Sequence, residues 1–430
     1  MTEKPKRRSR KLATLASISL GLVVVEIGMR VFDIPPEYSG LAFECESFDS
    51  EYAVKDADIF WKLKPGLKEF YTNDLFLRGW APRGERGDRD LRIACVGDSM
   101  TFGFGVEYEE TYGMQLEIAL RRRLPHARVE SVLAGLPAYT THQNRVHFRR
   151  DIMPLRPDLT VLWCGAWNDY YFAAEGKHDS DFAADVEKMR SSALRSLRIV
   201  RLIREAASRL ESDTEYPPMH RVPVAEFKAN IHALIDMARE CGEVVAVVPA
   251  IPVDTQKRWP FGETYRKAAI EVYEQREVSF VDAAVVFADA GEPPVFLDFI
   301  HPSPHGYLLI VRELVRRIFD LDPPRLRELQ SLRADPGVQC TGVRPARIEA
   351  GDRGQKVVIE GAGFARPHSF DRIWVGDRWV RTFEILGDNE VSFTLPKDIA
   401  KRTGSHPVVL VTDRGSILCP ESIEIFEVAR

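Results

Sequence analysis

Residues 91–99 read Leu-Arg-Ile-Ala-Cys-Val-Gly-Asp-Ser, the most informative stretch of the sequence. Its first six residues form a short apolar run that Gly97 closes, which is typical of a buried parallel strand. A serine just beyond the carboxyl end of such a strand points into the crevice where open α/β sheets place their ligands. The sequence therefore predicts that Ser99 belongs to a functional site.

A candidate acid and base for this serine lie about two hundred residues later, in Asp298-Phe299-Ile300-His301-Pro302. Asp298 and His301 are three residues apart, so one turn of chain can bring the carboxylate against one imidazole nitrogen. The other nitrogen would then face Ser99. A weakly acidic hydroxyl needs this arrangement to become nucleophilic.

These motifs resemble the conserved blocks of the SGNH or GDSL hydrolase family. Gly97-Asp98-Ser99 matches block one, and residues 100–106 continue it as in membrane-anchored members. Gly135 matches the oxyanion-hole glycine of block two, Asn168 the asparagine of block three, and residues 298–302 the Asp-x-x-His-Pro of block five.

The resemblance implies that Ser99, Asp298 and His301 are catalytic. It also implies an oxyanion hole built from the backbone amides of Ser99 and Gly135 and the side chain of Asn168. Two departures alter the loops around that hole. Leu133 stands where the family has an asparagine, and the third block carries one extra residue at 166–167.

Each motif also has a structural explanation. Gly-Asp-Ser is a common turn, Gly135 suits an ordinary strand-to-helix turn, and Asn168 or Asp298 suits a cap or an Asx turn. Four motifs in family order favour the catalytic interpretation. Asp98 and Asp169 are expected to organise their loops rather than take part in the chemistry.

The sequence gives little support for other kinds of catalytic, metal or cofactor site. An α/β-hydrolase elbow needs glycine two residues after its serine, but Thr101 stands there. The sequence contains no His-Glu-x-x-His pair and no Cys-x-x-Cys spacing that would indicate zinc. Gly103 and Gly105 begin a dinucleotide-like pattern, which Tyr108 then breaks. We therefore expect no metal and no organic cofactor.

The composition is that of a globular protein long enough for a sizeable core, with 430 residues, 45% hydrophobic and 29% charged. The net charge of −5 gives no electrostatic reason to expect a nucleic-acid partner.

The amino terminus predicts a membrane segment. A basic tail (1–11) precedes an apolar stretch (12–32), which is long enough to span a bilayer with the tail in the cytoplasm. Glu26 and Arg30 would pair near its outer end. We expect an uncleaved anchor in the inner membrane and an extracytoplasmic chain, whereas the alternative is a cleaved signal. Cys45 lies too far downstream for lipoprotein attachment.

Two pairs of cysteines have different expected roles. Cys95 and Cys164 lie in predicted buried strands and are expected to be small core residues. Cys340 and Cys419 open and close the last predicted domain, so an oxidising compartment would allow a bridge between its first and last strands.

The central region predicts a hydrolase domain at 91–320, preceded by a lead-in segment at 33–90 that packs on it. Strands and helices alternate there, which indicates a three-layer α/β fold with a five-stranded parallel sheet. The flavodoxin-like strand order 2-1-3-4-5 fits this alternation of strands and helices, and the family that the motifs resemble has the same fold. The predicted strands are 91–96, 128–134, 159–164, 243–249 and 278–281. The predicted helices are 110–123, 141–153, 225–240, 263–275 and 304–319.

An insertion follows Asn168, and its middle, 189–210, predicts one basic amphipathic helix. This helix would either rest on anionic lipid or polymer, or pack its apolar side on the sheet.

The carboxy-terminal region follows a predicted linker at 321–337. Residues 338–430 show short alternating apolar runs between turn residues, which predicts a β-sandwich. Gly361-Ala362-Gly363-Phe364 and the strands after it resemble the immunoglobulin-like IPT/TIG module. We expect this domain to act as a spacer or to bind a glycan or protein partner.

Together these features predict a membrane-anchored serine ester hydrolase that acts on an acylated envelope or extracellular saccharide, with acyl lipid as the second choice. Two alternatives remain open. One is acyl transfer onto a polysaccharide, and the other is a binding scaffold without catalysis.

Overall fold

The computed structural model describes most of the chain. The described residues are 5–32, 34, 51–82, 86–165, 167–171, 173, 176–192, 196–210, 219–288, 290–333, 337–352, 354–365, 370–412 and 414–427. Parts of the predicted tail (1–4), lead-in (33 and 35–50, with Cys45, and 83–85) and linker (334–336) lie outside the described residues, as does Ala166.

The helices, in chain order, are α1 (Pro5–Val31), α2 (Ser99–Phe102), α3 (Tyr112–Arg123), α4 (Thr141–His147), α5 (Asp179–Ser191), α6 (Arg198–Leu210), α7 (Val224–Arg239), α8 (Val253–Arg258), α9 (Phe261–Gln275), α10 (Ala283–Ala288), α11 (Pro304–Leu321) and α12 (Pro324–Gln330). The strands are β1 (Ala53–Asp56), β2 (Phe60–Leu63), β3 (Asp90–Gly97), β4 (Arg128–Gly135), β5 (Leu159–Trp163), β6 (Glu243–Val248), β7 (Ser279–Asp282), β8 (Gln339–Arg344), β9 (Arg347–Glu349), β10 (Lys356–Ala362), β11 (Phe370–Val375), β12 (Arg378–Trp379), β13 (Phe383–Ile385), β14 (Glu390–Thr394), β15 (Gly404–Thr412) and β16 (Gly415–Phe426).

A parallel five-stranded sheet in the order β4-β3-β5-β6-β7 forms the centre of the α/β region. This order confirms the predicted flavodoxin-like fold. Every residue of β3, β4 and β5 is buried, as expected for strands covered by helices on both faces. Gly97 lies level with Gly135 on one side and with Trp163 on the other. The loops that follow these three strands therefore leave the sheet at one edge.

The carboxy-terminal region contains two antiparallel sheets, in the orders β13-β14-β10-β8 and β12-β11-β15-β16-β9, which confirms the predicted β-sandwich. They enclose a separate core that includes Val357, Ile373 and Leu410. A disulfide joins Cys340 to Cys419, as the positions of these cysteines at the two ends of the region suggested. Its Cα atoms are 5.2 Å apart.

The sandwich packs tightly on the α/β region through α3. Arg372 Nη1 donates to the fully buried Glu117 Oε1 at 2.7 Å, and Arg121 lies over the ring of Trp374 at 4.6 Å. The ring centroids of Trp379 and Trp80 are 4.5 Å apart. Trp374 and Trp379 accordingly belong to the same apolar core as the central sheet.

The chain forms two compact units. One comprises Met1–Lys62 with Tyr170–Pro223, and the other comprises Leu63–Asp169 with Val224–Arg430. The first unit contains α1, the β1-β2 pair, α5 and α6. The structure differs here from the single helix predicted over 189–210. The first helix ends at Ser191, because Ser192 adopts an extended conformation with φ −103° and ψ 112°, and α6 begins only at Arg198.

Candidate active site

Ser99 is the first residue of α2, a short helix that follows β3 directly. The Asp98 carboxylate accepts the backbone N–H of Met100 at 3.0 Å and so caps this turn. Gly97 has no room for a side chain, since a Cβ there would lie 2.3 Å from both Thr101 Oγ1 and the Trp163 carbonyl oxygen. The turn is therefore tightly packed, and Ser99 is only 7% exposed.

His301 and Asp298 complete a relay with this serine. His301 Nε2 lies 2.9 Å from Ser99 Oγ, and His301 Nδ1 lies 2.7 Å from Asp298 Oδ2. The other carboxylate oxygen of Asp298 accepts the backbone N–H groups of Ile300 and His301 at 2.9 and 2.8 Å. The same carboxylate therefore orients the imidazole and closes the turn that carries it.

The electrostatics of Asp298 suit this role. Partial burial by itself would raise the pKa of the Asp298 carboxyl group. The hydrogen bonds from His301 and from the Ile300 amide outweigh that effect and hold the pKa below its ordinary value. Asp298 is therefore ionised at neutral pH, as a partner for a protonated imidazole must be.

Gly135 and Asn168, the other residues of the predicted site, lie beside the serine turn. A Cβ on Gly135 would be 2.4 Å from Thr101 Cβ and 2.7 Å from the Asp98 carbonyl oxygen, so only glycine lets β4 and the turn approach this closely. Asn168 is buried, and its Nδ2 donates to Asp98 Oδ2 at 3.1 Å. All five predicted site residues therefore meet at the carboxyl edge of the sheet.

Asp98 and Asp169 hold the loops together, as their positions suggested. Asp98 links the serine turn to Asn168, and burial raises the pKa of its carboxyl group to about 6. The Met100 amide, His301 and Asn168 offset only part of that effect. Asp169 Oδ1 accepts the backbone N–H of Thr141 at 2.9 Å and its hydroxyl at 2.5 Å. This second carboxylate fastens the Asn168 loop to the start of α4.

The extra residue in the third block leaves Asn168 at the site and turns Trp167 away from it. The Trp167 ring packs edge to face on Trp259 at 5.3 Å and on Phe299 at 5.4 Å. Phe299, which is 52% exposed, lies 6.4 Å from the His301 ring, and Phe104 lies 5.0 Å from the same ring. Phe104 and Phe299 therefore flank His301, and Trp167 and Trp259 extend this group of aromatic side chains from Phe299. Sequence reasoning identified none of them, because they come from four separate segments.

Arg78 is a further residue that sequence reasoning missed. Its guanidinium is buried and donates to the carbonyl oxygens of Phe102 at 2.8 Å, Gly103 at 2.7 Å and Val106 at 2.9 Å. These carbonyl groups belong to the end of α2 and the loop after it. Arg78 therefore braces the segment that carries Ser99. An arginine in an irregular segment gives no sequence signal of such a role.

Three or more metal-binding side chains come together nowhere in the described part of the chain. The candidate site consists instead of a hydroxyl, an imidazole, a carboxylate and amide donors. This set is complete for nucleophilic attack on an ester carbonyl.

Comparison with known proteins identifies the family to which the α/β region is similar. Residues 95–309 match the model of the GDSL-like Lipase/Acylhydrolase family. Among solved structures, an acetylxylan esterase from Geobacillus stearothermophilus is 15% identical with a TM-score of 0.37, over 53% of this chain and 94% of that one. A member of the lipolytic protein G-D-S-L family from Veillonella parvula is 13% identical with a TM-score of 0.34, over 53% and 97%. No curated protein matches this chain.

Proposed function

This chain belongs to the GDSL-like lipase/acylhydrolase family, and from that membership we propose that it is a membrane-anchored, extracytoplasmic serine esterase. Family membership supports an esterase or acylhydrolase activity. The observation that carries the proposal is the relay from Asp298 through His301 to Ser99, with distances of 2.7 and 2.9 Å. Both distances are within the range for hydrogen bonds that transfer or orient a proton.

The relay accounts for both halves of ester hydrolysis. Ser99 Oγ attacks the ester carbonyl carbon while His301 Nε2 takes the hydroxyl proton, and Asp298 stabilises the imidazolium that forms. The tetrahedral intermediate collapses, the C–O bond to the alcohol breaks, and His301 returns the proton to the leaving oxygen. Water then attacks the acyl-serine by the same route and releases the acid.

The oxyanion would be held by the backbone amides of Ser99 and Gly135 and by the side chain of Asn168. A side-chain amide carries two N–H hydrogens, and Asn168 uses one of them on Asp98 at 3.1 Å. The second remains for the developing negative charge. Asp98 thus acts as a positioning residue for an oxyanion donor.

The preferred substrate is an O-acylated saccharide of the cell envelope or its surroundings, with acyl lipid second. The exposed rings of Phe104 and Phe299 beside His301 support this choice, since they offer apolar faces for a sugar ring or an acyl chain. The half-buried Trp167 packs edge to face on Phe299. The same surface favours acyl transfer as the second candidate, because a bound sugar hydroxyl can replace water in the second step.

Three features support the proposed anchoring and extracytoplasmic location. Leu12–Val31 is one helix that is long and apolar enough to cross a membrane, and none of it is buried. The basic residues before it favour a cytoplasmic amino terminus. The Cys340–Cys419 disulfide fits an oxidising compartment.

Turnover of short acyl esters by the full chain in detergent micelles tests the chemistry. The wild-type protein should release free acid and bind a fluorophosphonate probe at Ser99, and a Ser99→Ala variant should do neither. Adding acceptor oligosaccharides separates the two candidates: acid released at the same rate supports the hydrolase, and acyl-saccharide formed in preference to acid supports the transferase. If folded wild-type protein neither turns over esters nor is labelled, the binding scaffold is correct.

A further inference from the structure

Helix α6 begins against the outer end of α1. The Glu26 carboxylate accepts the backbone N–H groups of Arg198 at 3.0 Å and Ile199 at 3.4 Å. Arg30, which pairs with Glu26 at 2.8 Å, also donates to the Ser196 carbonyl oxygen at 3.2 Å. A carboxylate from one helix therefore caps the first turn of another, where the free amides and the positive end of the helix dipole favour negative charge.

This contact fixes the depth at which α6 starts. The apolar helix Leu12–Val31 has 20 residues, which is about the 30 Å of a hydrocarbon core. Glu26 lies within the last two turns of that segment. If α1 crosses a membrane, the first turn of α6 lies at the boundary between the acyl chains and the headgroups.

The composition of α6 suits that boundary. Its sequence, RIVRLIREAASRL, contains four arginines and one glutamate, a net charge of 4 − 1 = +3. The helical repeat places Ile199, Ile203 and Ala206 on one side. Leu202 is 44% exposed and Ile203 is 64% exposed, and both add to the exposed apolar surface of the neighbouring α1. Exposed apolar residues next to basic residues on one helix are typical of a helix that lies at a membrane–water interface.

We propose that α6 lies in the headgroup layer of the membrane that α1 crosses and that its partner is anionic phospholipid. The inference rests on the proposed anchoring by α1 and extends it to a second element. The exposed Leu202 and Ile203 favour a lipid surface over an anionic polysaccharide, because a polysaccharide offers charge but little apolar contact. Membrane attachment then involves one spanning helix and one helix parallel to the surface, held together by Glu26.

Photo-crosslinking in nanodiscs tests this arrangement in the full chain. A p-benzoylphenylalanine at position 203 should crosslink to phospholipid, with a yield several-fold higher in phosphatidylglycerol than in phosphatidylcholine discs. The same probe at position 285 is the matched control, because Val285 is an equally exposed apolar residue (69%) on α10. A yield at position 203 that is no higher than the yield at position 285 would mean nonspecific labelling and would overturn the proposal.

A probe at Leu22, in the middle of α1, separates the two proposals. Lipid adducts at 22 but not at 203 would overturn the interfacial role of α6 while leaving the anchor intact. No adduct at 22 would overturn the anchor itself. Equal yields at 203 in both kinds of disc would remove the preference for anionic lipid. Retained ester turnover in each labelled protein shows that it is folded, since none of the three positions lies in the catalytic relay.

Discussion

The two ends of the central sheet both bury polar side chains, but they use them differently. At the amino end, Glu130 pairs with Arg92 at 2.6 Å and with Arg128 at 2.9 Å, and Asp158 pairs with Arg86. At the carboxyl end, Ser99 and His301 share one hydrogen bond of 2.9 Å. The buried Asp98 there is bound by the Met100 and Asn168 amides rather than by a direct salt bridge.

The difference shows that burial of polar groups does not by itself identify an active site. The charges at the amino end satisfy one another, so they hold strands together and have little capacity left for a ligand. At the carboxyl end, by contrast, the Ser99 hydroxyl has a proton that His301 can accept. The Asn168 amide has a second N–H group that can donate to a ligand. Variants at each end should therefore separate activity from stability.

The largest effect is expected at the nucleophile. Ser99→Ala should lower kcat/KM for an ester by about 10⁴-fold or more, because no other group can form the acyl intermediate. The melting temperature should hardly change, since one hydroxyl at the edge of the sheet is lost. Initial rates and thermal unfolding measure the two quantities. Ser131→Ala, at a buried serine of β4, is the matched control and should keep full activity. Substantial activity in Ser99→Ala would end the proposed mechanism.

The second effect is a loss of stability, expected at the amino end of the central sheet. Glu130→Leu leaves Arg92 and Arg128 buried without their shared carboxylate, and should lower the free energy of unfolding by about 3–5 kcal/mol. Urea denaturation followed by fluorescence measures this loss. The activity per folded molecule should stay at the wild-type level. Loss of activity without loss of stability would contradict the division between the two ends.

The third effect concerns the oxyanion. Asn168→Ala should reduce kcat by about 10²- to 10³-fold, which is the usual loss for one oxyanion donor. Asn230→Ala is the matched control: Asn230 is equally buried but donates to Thr141 at 3.4 Å, at the start of α4. A wild-type kcat in Asn168→Ala would restrict the oxyanion hole to backbone amides.

A smaller loss is expected from Arg78. Arg78→Met removes three hydrogen bonds to the loop after Ser99, and kcat should fall by about 10- to 10²-fold through misplacement of the nucleophile, with KM little changed. Arg78→Lys should recover part of kcat, because an ammonium group can still reach some of the same carbonyl oxygens. If both variants lose stability and kcat in the same proportion, Arg78 has only a structural role.

The smallest effect is a pH dependence of stability. The pKa of Asp98 is about 6 in the folded protein and near 3.9 in an unfolded chain. The folded state therefore binds this proton more tightly, and the associated stability, complete below pH 4, is lost as the pH rises to about 6. Asp298, with its lowered pKa, acts in the opposite direction at lower pH. Compared with Asp98→Asn, the wild-type protein should lose stability between pH 4 and 6. If the free energies of unfolding of the two proteins change with pH in the same way, the raised pKa of Asp98 is refuted.

The sequence predicted the parts of the fold that depend on local patterns. Leu91 to Val96 and the other apolar runs predicted the five strands, and the turn residues predicted the sandwich. The motif residues Ser99, Asp298 and His301 were identifiable because their chemistry requires fixed residue types. The relay distances could not be obtained in this way, since they depend on how separate loops meet.

Contacts between distant segments account for what the sequence did not predict. Arg78 contacts the serine turn, and Phe104 contacts His301, only because strands and loops from several parts of the chain converge. The break between α5 and α6 was also missed, because the amphipathic pattern continues across it. Periodicity records which side of a helix is apolar, but it does not record where the backbone turns.

The interface between the sandwich and α3 has a consequence for how such a protein can evolve. The Trp379 ring lies among Tyr71, Trp80 and Tyr108. Glu117 pairs with Arg372 of the sandwich at 2.7 Å and with Arg121 of its own helix at 3.8 Å. A recombination event that replaced the sandwich would expose this aromatic cluster and remove the shorter of the two ion pairs of Glu117. The two regions must therefore be inherited together, and a relative with a different carboxy-terminal module would need a rebuilt α3 surface.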